Sequence, residues 1–334
     1  MEELVKNDFW QDRRVFVTGG TGLVGGWLIQ ELLKLKADVV ALVRDWVPNS
    51  RLISKEYLDR VTVVRGDLSS PEFIERVLAE YEVKTIFHLA AQTIVPIANA
   101  NPLSTFESNI AGTWNLLEAS RRCKKVEQII IASSDKAYGD VLELPYKETM
   151  ALKAIYPYDV SKACADIISQ SYAKTWDVPV AITRCGNFFG GGDLNWNRII
   201  PGTIRAIIRG ERPVIRSNGK LVREYIYVED AVGAYISLAE GLAKNPKLAG
   251  EAFNFSNDKP QSVIDIFEMI LKLMDSKLEP QILNEVSGEI EYQFLDSSKA
   301  KEILSWQAKY SIEEGLSRTV KWYRKFFEGR KDGV

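Results

Sequence analysis

The chain has 334 residues, of which 46% are hydrophobic and 26% charged, with a formal net charge of -2. Those proportions suit one large globular domain, or one domain with a smaller companion, and exclude electrostatic capture of nucleic acid or an anionic membrane surface. No apolar run approaches the roughly 20 residues that span a bilayer, and the opening MEELVKND lacks the apolar core of a signal peptide, so the expected location is the cytoplasm.

In RRVFVTGGTGLVGGWLIQELLKL, VFV reads as a short buried strand and the stretch after it as a helix with one apolar face. DVVALV and VTVVRGDL are further strands, and PEFIERVLAEY is a helix opened by Pro71. TIFHLAAQ is a strand, TFESNIAGTWNLLEASRRC a long helix, QIIIASS a strand, YDVSKACADIISQSYAKTW a helix and PVAITRCGN a strand. This alternation predicts an α/β fold, a doubly wound parallel Rossmann sheet covered on both faces.

After about Asn187 the rhythm loosens. FFGGGDLNWNRIIPG reads as a long functional loop feeding a helix. VEDAVGAYISLAEGLA, SVIDIFEMILKLM, SSKAKEIL and SIEEGLSRTVKWYRKFF read as helices, and EAFNFS as a strand. The expected division is a Rossmann domain over 1–186, with 226–256 returning to it. A smaller carboxyl-terminal α/β substrate lobe takes 187–225 and 257–330.

Cys123, Cys164 and Cys185 have neither metal-ligand spacing nor the number for a disulfide framework, so no metal is expected. His88, the only histidine, lies between apolar TIF and LAA and reads as a packed strand-end residue.

TGGTGLVG sets Gly19, Gly22 and Gly25 three apart between a strand and a helix. Glycine permits the tight turn and the close approach of a pyrophosphate, and the helix start supplies N–H donors. Nucleotide binding is the expectation. Asp45 lies 20 residues after Gly25, where an acid holds the ribose hydroxyls of NAD; Arg44 beside it suits the extra phosphate of NADP. Asp67 ends the next strand, facing either the adenine edge or solvent.

YDVSK puts Tyr158 and Lys162 at i and i+4 on one helix. An ammonium beside a phenol favours the phenolate, which suits a general base for an alcohol. With TGGTGLVG, GDL, HLAA, SNIAGTWNLLEA, SSDKAYG and RCGNFFGGGD, the chain resembles the extended short-chain dehydrogenase/reductase family over nearly its whole length. The resemblance implies a dinucleotide in the amino-terminal domain and a sugar nucleotide in the carboxyl-terminal lobe. It places the cofactor on Gly19, Gly22, Leu23, Val24, Gly25, Arg44, Asp45, Asp67, Leu68, Leu89, Ala90, Ala91, Tyr158 and Lys162, with NAD expected and NADP the alternative.

Within that family, Ser134-Asp135-Lys136 resembles the sugar-nucleotide 4,6-dehydratases, and lysine in third place resembles those acting on CDP-glucose. FWQDRRVFVTG, AAQTIV, GNFFGGGDLNWNRIIP and LDSSKAKEILSW agree. Epimerases and reductases carry no such acid and base. The implied roles are Tyr158 with Lys162 as base at O4, Asp135 as acid to the departing C6 hydroxyl, Lys136 as C5 base or enolate stabiliser, and Ser134 at O4. Gln92, Ser134, Asn187, Arg198 and Arg223 are the implied substrate contacts, the arginines on the diphosphate. REYIYVEDA looks like the generic family version, the lysine lacks the subgroup's following cysteine, and Arg44 resembles GDP-mannose 4,6-dehydratase. A sugar-nucleotide 4-epimerase or reductase is the alternative of the same fold, and an NAD(P)-sensing binding protein the alternative of another class. The resemblance also implies a homodimer through the helices Thr105–Cys123 and Tyr158–Trp176, whose apolar faces would equally suit packing on the sheet.

Overall fold

Seven of the apolar runs form one sheet. In the computed structural model, which describes residues 8–285 and 290–328, the strands are β1 (Arg14–Thr18), β2 (Asp38–Val43), β3 (Thr62–Arg65), β4 (Thr85–His88), β5 (Gln128–Ala132), β6 (Val180–Cys185) and β7 (Ala252–Phe255). Their order is β7-β6-β5-β4-β1-β2-β3, and the pairings from β3 through to β6 are parallel. The sheet grows outward from β1 in one direction and from β4 in the other, which makes it doubly wound, as predicted. β4 and β6 are buried along their whole length, as parallel strands covered on both faces must be.

By compactness the chain divides into two units: Met1–Ser133 with Ile155–Thr183 and Ala234–Ala252, and Ser134–Ala154 with Arg184–Gly233 and Phe253–Val334. The sequence reading kept 134–154 with the first domain. Its aromatic anchors Tyr138 and Tyr146 instead pack with Leu295, all fully or almost fully buried, inside the second unit. The first unit's core joins Phe16, Val40, Ile86, Ile129 and Val180 of the strands to Ile74 and Leu116 of helices. The Pro71–Glu80 helix starts where Ser70 accepts the Phe73 N–H and Pro71 takes the first position.

The second unit carries three two-stranded ladders. Asn187–Phe189 runs parallel to Tyr225–Tyr227, Val222–Arg223 antiparallel to Gln261–Ser262, and Val214–Ile215 parallel to Gln281–Ile282. The helices Ile199–Arg209, Val263–Met274, Ser298–Leu304 and Ile312–Glu328 accompany them. Ser262 and Asp265 form a reciprocal capping box at the start of Val263–Met274. No helix among the described residues is long and apolar enough to cross a membrane.

The long helix expected over Thr105–Cys123 is interrupted. Pro102–Phe106 and Gly112–Arg122 are α-helical, but Glu107–Ala111 forms a widened π turn. Such turns displace a side chain from its normal register, and here Asn109 is buried inside the turn. Its Oδ1 accepts the Gln92 N–H at 2.7 Å, and its Nδ2 donates to Gln92 O at 3.0 Å and Ser161 Oγ at 2.8 Å. Ser161 Oγ donates in turn to Tyr158 O at 2.7 Å. On the other side, Thr113 Oγ1 donates to Asn109 O at 2.6 Å. That leaves Thr113 Oγ1 to accept from His88 Nε2, 3.1 Å away, while Thr18 Oγ1 lies 2.9 Å from His88 Nδ1. The buried imidazole is therefore a neutral link between β1, β4 and the π turn.

Burial, helped by the Lys162 charge, pulls the His88 pKa down from 6.5 to about 3. Between those values the unfolded chain binds a proton that the folded one refuses. Stability is then complete above pH 6.5 and is lost as pH falls towards about 3. The unfolding free energy should fall more steeply on acidification in the wild type than in His88→Gln, by up to about 1.4 kcal/mol per pH unit. Urea titrations at pH 7 and pH 5 check this; equal losses in the two proteins would refute it.

Candidate active site

β1 ends at Thr18, and the Leu23–Lys34 helix follows with Gly22 as its N-cap and no side chain capping it. Its first N–H groups are the donors that a phosphate takes at a helix start. Gly19 has φ +74°, and a Cβ there would stand 2.7 Å from Ala90 N and 2.8 Å from the Leu89 carbonyl carbon. A Cβ on Gly25 would stand 2.2 Å from Gly19 O, whereas Gly22 has only Gly19 O within reach, at 3.3 Å. Two of the three predicted glycines are thus required by backbone crowding, and the turn they make is open above Gly22. Leu23 and Val24, the helix's first residues, are half-buried, as are Ala90 and Ala91. Ala90 N donates to Thr18 Oγ1 at 3.1 Å, tying the loop after β4 to the end of β1.

At the ends of β2 and β3 the charged residues meet. Arg44 Nε donates to Asp45 Oδ2 at 2.7 Å and lies 3.8 Å from Asp67 Oδ2. Asp67 Oδ1 also accepts the Ser69 N–H. Leu68 is buried in the core, and its carbonyl accepts from Asn115 Nδ2 at 2.8 Å. Gln92 spends its side chain locally, its Oε1 accepting the Ile94 N–H at 3.0 Å.

Tyr158 and Lys162 both lie on the Pro157–Trp176 helix, which opens on Pro157. Both are largely buried. Lys162 Nζ donates to Ala132 O, the last carbonyl of β5, at 2.8 Å. This anchors the ammonium to the strand that leads into Ser133 and Ser134.

Ser134, Asp135 and Lys136 belong to the second unit. Ser134 caps a 3-10 turn over Asp135–Tyr138, its Oγ accepting the Lys136 N–H at 3.2 Å and donating to Asp135 Oδ1 at 2.9 Å. Asp135 is only 6% exposed. Burial pushes its pKa up; the Lys136 charge, the Ser134 hydroxyl and the Arg223 charge oppose the shift without overcoming it. A carboxyl so placed can hold a proton and give it away, as a general acid must. Lys136, beside it, is half-exposed.

The other three implied substrate contacts of the second unit, besides Ser134, lie on separate elements. Asn187 is exposed at the start of its strand, with its N–H on Glu224 O at 3.0 Å. Arg198 is half-exposed before the Ile199–Arg209 helix and pairs with the buried Asp193 at 2.9 Å. Arg223 is 5% exposed, donating to Val222 O at 2.8 Å, to Glu291 O at 3.2 Å and to Ile290 O.

Sequence reading missed Asn109, Tyr138, Arg184 and Asn254, which hold the candidate residues in place. The signal was present for one of them: Asn254 is a polar residue between two phenylalanines in an otherwise apolar strand.

Comparison with known proteins identifies the fold and the family. The GDP-mannose 4,6 dehydratase family matches residues 16–319. CDP-glucose 4,6-dehydratase of Salmonella typhimurium is 28% identical, with 98% of this chain and 94% of that protein covered. The crystal structure of UDP-glucose 4-epimerase from Thermotoga maritima with UDP-glucose superimposes with a TM-score of 0.85 at 27% identity, covering 94% of this chain and 99% of that one. That of dTDP-glucose 4,6-dehydratase from Bacillus anthracis in complex with NAD gives 0.84 at 25% identity, covering 95% and 98%. The sequence match over nearly all of the sheet and the second unit, together with the doubly wound fold, shows that the chain belongs to the GDP-mannose 4,6 dehydratase family of extended short-chain dehydrogenases/reductases.

Proposed function

We propose that this chain is a cytoplasmic, NAD-dependent sugar-nucleotide 4,6-dehydratase whose substrate is CDP-glucose. The observation that carries the reading is Asp135: a buried carboxyl with a raised pKa, next to a lysine, in the turn after β5. A 4-epimerase has no leaving hydroxyl to protonate and no need of such a group. The lysine in third place and the Salmonella relative support CDP-glucose within the class.

The residues of the cradle fit a dinucleotide. The Gly19–Gly25 turn is packed so that any Cβ at its two crowded positions would collide with backbone, and the helix start beyond it has no side-chain cap. Arg44 favours NAD over NADP: its guanidinium already faces Asp45 and Asp67, so the ribose end carries two acids against one base. Bound there, NAD supplies the hydride acceptor for C4 and the donor for C6.

This chain's own groups do the rest. Tyr158, on the same helix as Lys162, takes the O4 proton as the general base. With C4 a ketone, the C5 proton becomes acidic and passes to Lys136 in its neutral amine form, the only form that can accept it, and the ammonium so formed stabilises the enolate. Asp135 gives its proton to the departing C6 hydroxyl, so water leaves and a C5–C6 double bond forms. A proton returns to C5 as hydride reaches C6, and the product is a 4-keto-6-deoxy sugar nucleotide. Ser134 hydrogen-bonds the O4 region once its hydroxyl turns away from Asp135 Oδ1, and the arginines Arg198 and Arg223 supply charge for the diphosphate.

Incubation of the purified protein with CDP-, GDP-, UDP- and dTDP-hexoses and NAD in heavy water should yield, from CDP-glucose, a product that has lost one water and gained deuterium at C5. An isomer of unchanged mass would overturn the dehydratase in favour of an epimerase. Asp135→Asn should lower kcat by about 10²- to 10⁴-fold. Because the acid must be protonated, wild-type kcat should fall on the alkaline side, as pH rises through the raised Asp135 pKa.

The homodimer is part of the same reading. Leu103, Trp114, Ile167 and Trp176, on the helices Pro102–Phe106, Gly112–Arg122 and Pro157–Trp176, are 45 to 66% exposed. Large apolar side chains gathered on neighbouring helices suit a second copy of the chain. Sedimentation should show a dimer that Trp114→Glu with Ile167→Glu converts to monomer; a wild-type monomer would refute it.

A further inference from the structure

Resting on the dehydratase reading, we propose that Asn254 is a positioning residue that, through Tyr138, fixes the turn carrying Asp135 and Lys136. Asp135–Tyr138 is a single 3-10 turn, so the two residues stand at its opposite ends. The Tyr138 ring is fully buried. Its hydroxyl donates to Asn254 Oδ1 at 2.7 Å and accepts from Arg184 Nη1 at 3.0 Å, and the Arg184 guanidinium lies over the ring, 4.9 Å from its centre. Burial holds the phenol pKa up at about 12, so the hydroxyl remains a donor throughout the neutral range.

Asn254 is itself wholly buried in β7. While its oxygen holds the turn, its Nδ2 donates to Tyr146 O at 2.9 Å and to Asp296 O at 3.2 Å. Its backbone N–H donates to Glu148 Oε1 at 2.8 Å. The side-chain amide thus uses its acceptor and both of its donors. Three segments of chain share one side chain, and a buried network so completed is rigid and geometrically specific.

The exit of the turn is equally constrained. Gly139 has φ +74°, and a Cβ there would stand 2.1 Å from Lys153 O. Tyr146 Oη donates to Gly139 O at 2.8 Å, and its ring centre lies 5.0 Å from that of Tyr138. The chain therefore enters the turn from β5 and leaves it at a fixed aromatic anchor. Loosening the anchor moves Asp135 and Lys136. Tyr158 and Lys162 sit on the Pro157–Trp176 helix and are held by Ser161, Asn109 and Ala132 O. The effect should fall on water elimination and spare the earlier deprotonation at O4.

Tyr138→Phe removes one oxygen and keeps the ring, which makes it the cleanest test; Asn254→Ser is the second variant. For Tyr138→Phe, kcat should drop by about 10- to 100-fold, with KM for the sugar nucleotide within about twofold of wild type. Enzyme-bound reduced nicotinamide should build up after mixing with substrate, because C4 oxidation outruns elimination. Hydrogen exchange of the amides of residues 135–139 should quicken. An unchanged kcat, a drop without build-up of the reduced form, or unchanged exchange would each overturn the proposal. If wild-type protein yields no dehydrated product, the functional reading fails instead, and exchange at 135–139 in Tyr138→Phe still decides whether the anchor holds the turn.

Discussion

Taking the Asp135 carboxyl out of water penalises its charged form, and the surrounding structure is arranged so that this penalty persists. Three groups work against it: the Lys136 charge, the Ser134 hydroxyl and the Arg223 charge. Each favours the carboxylate, yet burial outweighs them. The balance depends on position more than on composition. The same residues on a solvated strand end would leave an ordinary carboxylate, acceptor only. What separates the two cases is whether the turn stays packed within the second unit.

Two buried polar networks serve the two units separately. In the first, Thr18, His88, Thr113, Asn109 and Ser161 run from β1 to the helix of Tyr158. In the second, Arg184, Tyr138, Asn254 and Tyr146 O run from β6 to the turn of Asp135. Both are built from neutral or fully engaged groups. Unpaired buried polar atoms are costly, so a completed network tolerates few alternatives and specifies one arrangement. Such precision matters where proton donors must meet an atom within a few tenths of an ångström.

Much of this was legible in the sequence, because its signals are local. DVVALV coincides with β2 to the residue, and Pro71 marks the first position of its helix. Gly19 and Gly25 announced a crowded turn through their spacing alone. The π turn was not legible: the apolar pattern of TFESNIAGTWNLLEASRRC is helical throughout, and only tertiary packing turns Asn109 inward. The grouping of 134–154 with the second unit was hidden for a related reason. Its decisive contacts, from Tyr138 to Asn254 and from Tyr146 N to Phe294 O, join residues over a hundred positions apart. Arg223 shows the limit of reading charge from sequence. Its charge is evident from the residue type alone, but that the side chain is buried with its donors on three backbone carbonyls is not.

That buried arginine sits beside another acid whose behaviour bears on Asp135. Glu224 is 1% exposed, and its Oε2 accepts the Leu295 N–H at 2.8 Å. Burial raises its pKa to about 7, and the negative charges of Asp258 and Asp135 push in the same direction. Two carboxyls that sense one another cannot ionise independently: a charge on one makes the second proton harder to remove. Near neutral pH, Glu224 is therefore poised between its forms, and a charge on Asp135 makes its proton harder to remove. Arg223 favours the Asp135 carboxylate from a fixed position, because its guanidinium is held by carbonyl oxygens. The protonation of these two carboxyls is thus set first by their burial in the second unit, with Arg223 acting on Asp135 and Asp135 acting on Glu224.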